Sequence, residues 1–268
     1  MTRKLAALLL LLLCLVAQSV FAQCRPPRYH QGKDFINPQS GAGSIYVSIR
    51  PKDFTLRKLT CLALSLRKRN PNWKAVNVLV FDSNDAAERF LPTPMEVPRT
   101  VWAQWARRLH AAYFLNTDKR EDYLEIMPLG YEGSSSYDTR IDLPITTQPR
   151  CSLEMSERCV LLIGDIDYPS GALTANGAGT VSLEATVNRD GTIANALVIE
   201  ADVHPAAAKH ILADAALKNL ETWRFDASAR RSQIRITYSY VLDDSLRSGS
   251  PPEVRWDRPD RIVIRARP

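Results

Sequence analysis

The chain has few residues of the kinds that do chemistry. Four histidines occur in 268 residues: His30, His110, His204 and His210. His204 and His210 lie six apart, which does not place them on one helical face, so a cap and a surface residue are expected there rather than a metal pair. No Gly-x-Ser-x-Gly frame is present, and no lysine follows Gly133-Ser134-Ser135-Ser136. That excludes a nucleophile elbow and a phosphate loop and leaves a solvated loop. Asp165 and Asp167 are the nearest approach to a carboxylate pair, and a solvated turn is the expectation for them. No nucleophile, base and orienting group fall into one frame. The sequence therefore supplies no catalytic set, no metal site and no cofactor.

Charge of one sign is also in short supply. Residues 1–22 begin with Arg3 and Lys4, continue through the apolar run Leu5–Val16, and end on Val20-Phe21-Ala22. This is the pattern of a secretory signal peptide. The competing reading is an uncleaved inner-membrane anchor, since a span takes about 20 apolar residues. A lipidated Cys24 is disfavoured because Gln23 stands where a small residue is wanted. Removing Arg3 and Lys4 takes the formal charge from +6 to +4. That excess is too weak to argue for nucleic acid. No second long apolar run follows, so the mature chain reads as soluble or peripheral, in the periplasm.

Cysteine is scarce but even in number. Five cysteines become four once Cys14 leaves with the signal segment. An even set in an oxidising compartment favours disulfides, and the gaps are not those of a zinc site. Cys151 and Cys159 can close a small loop, leaving Cys24 and Cys61 as the other pair. Four cysteines allow three pairings, and spacing alone does not choose.

Residues 23–129 read as a mixed α/β unit of no assignable family. Ile45, Val47 and Ile49 alternate with Tyr46 and Ser48, a strand pattern. Leu56, Leu59, Leu62, Ala63 and Leu66 recur at helical spacing, with Asp53 as the expected N-cap and Arg67-Lys68-Arg69 in the last turn. Ala75–Phe81 reads as a more buried strand, followed by a short helix over Asn84–Phe90 capped by Asp82 or Ser83. Trp102 and Trp105 share a helical stripe with Ala106 and Leu109, so they are core before they are a stacking platform. Ala111–Leu115 and Asp122–Met127 form a hairpin. Residues 130–150 read as a linker, with Gly133, the serines, Pro144 and Pro149 and no period.

Residues 151–243 read as a small α+β unit. Val181, Leu183, Ala185 and Val187 alternate with Ser182, Glu184 and Thr186, and Asp190-Gly191 makes the turn into a return strand over Thr192–Glu200. Pro205 opens a helix whose apolar face is Ala208, Ile211, Leu212, Ala215, Ala216, Leu220 and Trp223. Ile234, Ile236, Tyr238, Tyr240 and Leu242 alternate with Arg235, Thr237 and Ser239 as a third strand. Residues 244–268 are a basic tail, either an extra edge strand or a mobile arm.

Tyr168-Pro169, Gly179-Thr180-Val181, Asp190-Gly191, Ala215-Ala216-Leu217 and Trp223-Arg224-Phe225 occur in this order over residues 164–243. Together they resemble the C-terminal domain of TonB-family proteins. The resemblance implies a three-stranded antiparallel sheet under one helix. It also implies a role in transmembrane transport, in which a sheet edge pairs with an extended segment of an outer-membrane transporter and carries energy from an inner-membrane motor. Strand addition of this kind draws affinity from main-chain hydrogen bonds. Ile234, Arg235, Ile236, Thr237, Tyr238, Ser239 and Tyr240 are the expected edge, being the last strand and carrying outward polar groups. The chain departs from the family in having a cleavable leader, scattered prolines instead of a long spacer, and Asp226 where proline usually stands. The expectation is a non-enzymatic periplasmic protein-binding module of the cell envelope. Its partner class is an outer-membrane transporter or other envelope protein, with peptidoglycan or a homodimer as further options. The alternatives are a structural envelope protein, or an enzyme with its site in the N-terminal unit or the cleft between units.

Overall fold

The alternation around Tyr46 sets the architecture of the first half. The computed structural model describes residues 24–91, 97–131, 138–143, 151–258 and 260–268. Six strands form one sheet in sequence order: β1 (Tyr29–Asp34), β2 (Ala42–Ile49), β3 (Ala75–Phe81), β4 (Leu109–Asn116), β5 (Glu121–Ile126) and β6 (Thr139–Asp142). Only β2 and β3 run parallel. A parallel pair needs a crossover, and α1 (Leu56–Arg69) supplies it. Both faces of the sheet are covered. Ile45, Val47 and Ile49 pack with Leu59, Leu62 and Leu66 of α1. Tyr46 and Phe81 pack on the other side with Ala86 and Ala87 of α2 (Asn84–Arg89) and Trp102 and Ala106 of α3 (Arg99–Ala106).

The caps explain the helix starts. Thr55 Oγ1 accepts from the Lys58 amide and Ser83 Oγ from the Ala86 amide. Asp53, the expected cap of α1, instead lies buried beneath Arg50 and Lys58, which both bind its carboxylate. Burial works against its ionisation, but the two hydrogen bonds hold its pKa below the usual carboxylate value. The signal segment and the serine run 134–136 lie outside the described residues. The linker expectation for 130–150 is corrected by β6, which pairs with β5 through Tyr123–Asp142 and Leu124–Ile141 and buries Ile141.

A small sheet joins the two halves. Its strands are β7 (Glu154–Met155), β8 (Arg158–Leu162) and β11 (Arg224–Phe225), in the order β11-β8-β7. β8 serves two cores, because Cys159 and Leu161 pack into the first and Val160 into the second. Both disulfides form as expected, Cys24–Cys61 and Cys151–Cys159, with Cα atoms 5.4 and 5.5 Å apart.

The second half holds α4 (Ser170–Thr174), β9 (Ala178–Val187), β10 (Ile193–His204), α5 (Lys209–Thr222), β12 (Ser232–Leu242), β13 (Glu253–Arg258) and β14 (Arg261–Ala266). The three expected strands, β10, β9 and β12, lie side by side and antiparallel beneath α5. The sheet is nevertheless five-stranded and mixed, in the order β10-β9-β12-β14-β13. The basic tail is part of this sheet rather than an arm. Ile262 and Ile264 alternate into the core, where Trp256 reaches the Trp223 ring at 5.6 Å. Within α5 the buried set differs from the expected stripe: Ala213 is buried and Ala215 only half-buried. Ile211 faces solvent and Asn219 is buried.

Candidate partner-binding edge

A strand can accept a partner only where its own amides and carbonyls are unpaired, so sheet order decides the candidates. Ile234, Ile236, Tyr238 and Tyr240 point into the core; on the other face Arg235 is exposed, Thr237 half-buried and Ser239 buried. Their strand, β12, is not an edge from Thr237 onward, while Ser232–Ile236 has a strand partner on one side only among the described residues. β9 pairs it on one side from Ser232 to Tyr240, and β14 pairs it in parallel on the other from Thr237 to Leu242. The groups on that face are also tied: Ser182 and Thr237 hydroxyls meet at 3.0 Å, and Arg261 donates to Ser239 Oγ. The sequence placed β12 last because nothing in a period of two announces a parallel strand arriving across a Gly/Ser/Pro loop.

Uncovering β12 would mean withdrawing Ile262, Ile264 and Trp256 from the core. At roughly 1.5–3 kcal/mol per large apolar side chain, that costs on the order of 5–9 kcal/mol. A domain is stable by only about 5–15 kcal/mol, so β14 is a fixed part of the sheet.

Among the described residues, the open edges of this sheet are β10 and β13. β13 has six residues and carries Glu253, Arg255, Asp257 and Arg258, a charged edge of the kind that resists pairing. β10 has twelve residues, against six for β1 and four for β6 at the edges of the first sheet. It exposes Leu197 and Ile199, at 45% and 40%. Bulges interrupt its pairing with β9 between Ile193 and Asn195 and between Val198 and Glu200. The second sets Ile199 outside the ladder beside Leu197 and divides the edge into two straight pieces. Glu200, Asp202 and His204 continue the exposed side.

The residues that carried the resemblance build the frame behind this edge. Pro169 precedes α4, and Tyr168 hydroxyl donates to the Gly177 carbonyl. Gly179 sits at φ +141°, where a Cβ would lie 2.1 Å from Asp202 O, so this glycine lets β10 approach β9. Val181 faces the core. Asp190 caps the turn by accepting from the Thr192 amide and hydroxyl, bonds that hold its pKa low. Gly191 meets the Trp223-Arg224-Phe225 stretch directly: Phe225 N donates to Gly191 O at 2.9 Å. A Cβ on Gly191 would stand 1.9 Å from Phe225 O.

Trp223 is fully buried and donates from Nε1 to Asn219 Oδ1 at 2.9 Å. Tyr238 hydroxyl donates to the same oxygen at 2.7 Å. The Asn219 amide in turn donates to the carbonyls of Gly164 and Asp165. Asn219 was missed in the sequence because it is polar, yet it stands three residues after Ala216 and four before Trp223, a core position of that stripe. Arg224 turns back and donates to the carbonyls of Glu221 and Trp223 at the helix end.

Residues 165–242 match the family of the Gram-negative bacterial TonB protein C-terminal. The match thus ends at the last residue of β12, and β13 and β14 of the same sheet lie beyond it. Comparisons with curated proteins and with solved structures gave no match. The match points to a TonB-related interaction role in the envelope, with a generally non-enzymatic module and envelope proteins as the partner class. The two disulfides fit an oxidising compartment. Asp226 forms a stitch to β8. It exchanges bonds with the Cys159 backbone, and Arg158 reaches both its carbonyl and that of Asn188. Among the described residues, no group of three or more His, Cys, Asp or Glu could hold a metal. No helix among them is long and apolar enough to cross a membrane.

Proposed function

We propose that the chain is a non-enzymatic periplasmic binding protein that takes up an extended segment of an envelope partner along β10. The observation that carries this is the length and apolar exposure of that open edge, set against the flank of β12 that β14 occupies from Thr237 to Leu242. The partner segment would place aliphatic side chains against Leu197 and Ile199, and a basic group beside Glu200 and Asp202. The partner taken here is an outer-membrane transporter; the family match supports an envelope protein. The chain then acts as a binding unit in transport whether or not a motor drives it. The six-stranded sheet, β6 included, and its helices act as a second folded unit that positions the TonB C-terminal unit.

The test uses Leu197→Lys and Ile199→Lys together. Both side chains are exposed, so the unfolding midpoint should stay within about 0.5 kcal/mol of wild type. Capture of the transporter segment, or dimerisation if a second copy is the occupant, should fall at least tenfold, about 1.4 kcal/mol. Undiminished capture by the doubly substituted protein sinks the β10 assignment. Capture of peptidoglycan alone would favour the structural reading instead.

A further inference from the structure

A cleft of about 560 Å³ opens between α3, the segment following β8, and the loop leading into β13. Its size falls in the range of small-molecule sites, which cluster where two units meet. Its floor is apolar, formed by Ala103, Leu129, Ile163, Ile166 and Val254. Arg99, Arg107 and Arg247 stand around it. Two carboxylates also reach the cleft, but both are already engaged. Asp165 binds Arg108, and Glu253 binds Arg265 at 3.1 Å. Arg107 spends one donor on the Pro252 carbonyl, which ties the loop down, while Arg99 and Arg247 have no ion-pair partner among the described residues.

We propose that this cleft binds a small amphipathic organic anion: a carboxylate on an aliphatic body of medium length. The reasons are the mismatch of charge and the division of surface. A purely apolar ligand would leave guanidinium groups facing it unpaired, and a compact inorganic anion would leave the apolar floor wet. A carboxylate at the rim takes two parallel bonds from a guanidinium, and the aliphatic body lies against Leu129 and Val254, which are only half-buried. The loop over the cleft contributes Leu246 and Pro251, and Gly249 within it has φ +74° with no atom within 4 Å of a built Cβ. The site is distinct from the β10 edge and does not depend on it.

The experiment titrates octanoate and, separately, 1-octanol into the full mature chain, following backbone amide resonances. Octanoate should saturate, with shifts at Ala103, Ile163 and Val254, and should bind at least about tenfold more tightly than octanol. The variant Arg99→Gln/Arg247→Gln removes two exposed, unpaired cations and should keep the wild-type unfolding midpoint. In it, octanoate affinity should fall about tenfold while octanol affinity stays within about twofold. Thr100→Trp, which fills the mouth from an exposed helix position, should weaken both. Absence of saturable octanoate binding, equal affinity for the two ligands, or an unchanged affinity in the double variant would each overturn the proposal.

Discussion

Replacing Asn219 by leucine should be among the most damaging single changes in the TonB C-terminal unit, although the two side chains are similar in size. Asn219 Oδ1 accepts from Trp223 Nε1 and Tyr238 hydroxyl, and both donors belong to residues with no solvent exposure. Leucine leaves those two donors unpaired where water does not reach. Each such group costs about 1–3 kcal/mol, so the loss is about 2–6 kcal/mol. The Gly164 and Asp165 carbonyls also lose a donor, but their residues are partly open to water, which limits that share. Tyr238→Phe alone removes one donor and leaves Oδ1 bonded to Trp223, so it should cost only about 0.5–1.5 kcal/mol. In that background Asn219→Leu strands one donor instead of two, and its cost should drop by about 1–3 kcal/mol. Urea unfolding of the four proteins measures this coupling. Additivity within about 0.5 kcal/mol would refute the view that the network, rather than packing, holds the helix end.

Three further outcomes follow from the geometry. Gly191→Ala places a Cβ against the Phe225 carbonyl at φ +88°, so it should cost about 1–3 kcal/mol in thermal unfolding even though Arg189 and Asp190 of the same turn are exposed. Asp53→Asn should destabilise by about 1–3 kcal/mol at neutral pH. Because the folded-state pKa of Asp53 is lowered, its contribution is complete above the ordinary carboxylate value of 3.8 and is lost as pH falls through the depressed one. The gap between variant and wild type in pH-dependent unfolding should therefore close in acid. Cys24→Ser/Cys61→Ser, spanning 37 residues, should cost about 4 kcal/mol, and Cys151→Ser/Cys159→Ser, spanning eight, about 2.5 kcal/mol on the loop-entropy view. Denaturant melts of the two pairs give the order.

Local periodicity made most of the elements legible, and the strands of β2, β9 and β12 lie where alternation put them. Two kinds of information were not local. β14 joins β12 across the β13 hairpin, and its weak basic pattern reads equally as a tail because Ile262 and Ile264 become core only once Trp223 and Trp256 meet. β6 has four residues amid proline and serine, too short for a period, and becomes a strand by pairing with Tyr123 and Leu124. The candidate edge moved for the same reason. Outward polar residues mark an exposed face, whereas an edge is defined by the absence of a neighbour, which no single strand encodes. Asn219 was hidden by its type and visible only by its position.

The most direct measurement is site-specific photocrosslinking in the native envelope, with a photoreactive residue at position 197, 199, 235 or 255 in otherwise unchanged protein. Positions 197 and 199 report β10, 235 the outer face of β12, and 255 the opposite edge. The account predicts an adduct to one envelope protein from 197 and 199, through an extended segment of that partner, and none from 235 or 255. Adducts from 235 or 255 with none from 197 and 199 would contradict it.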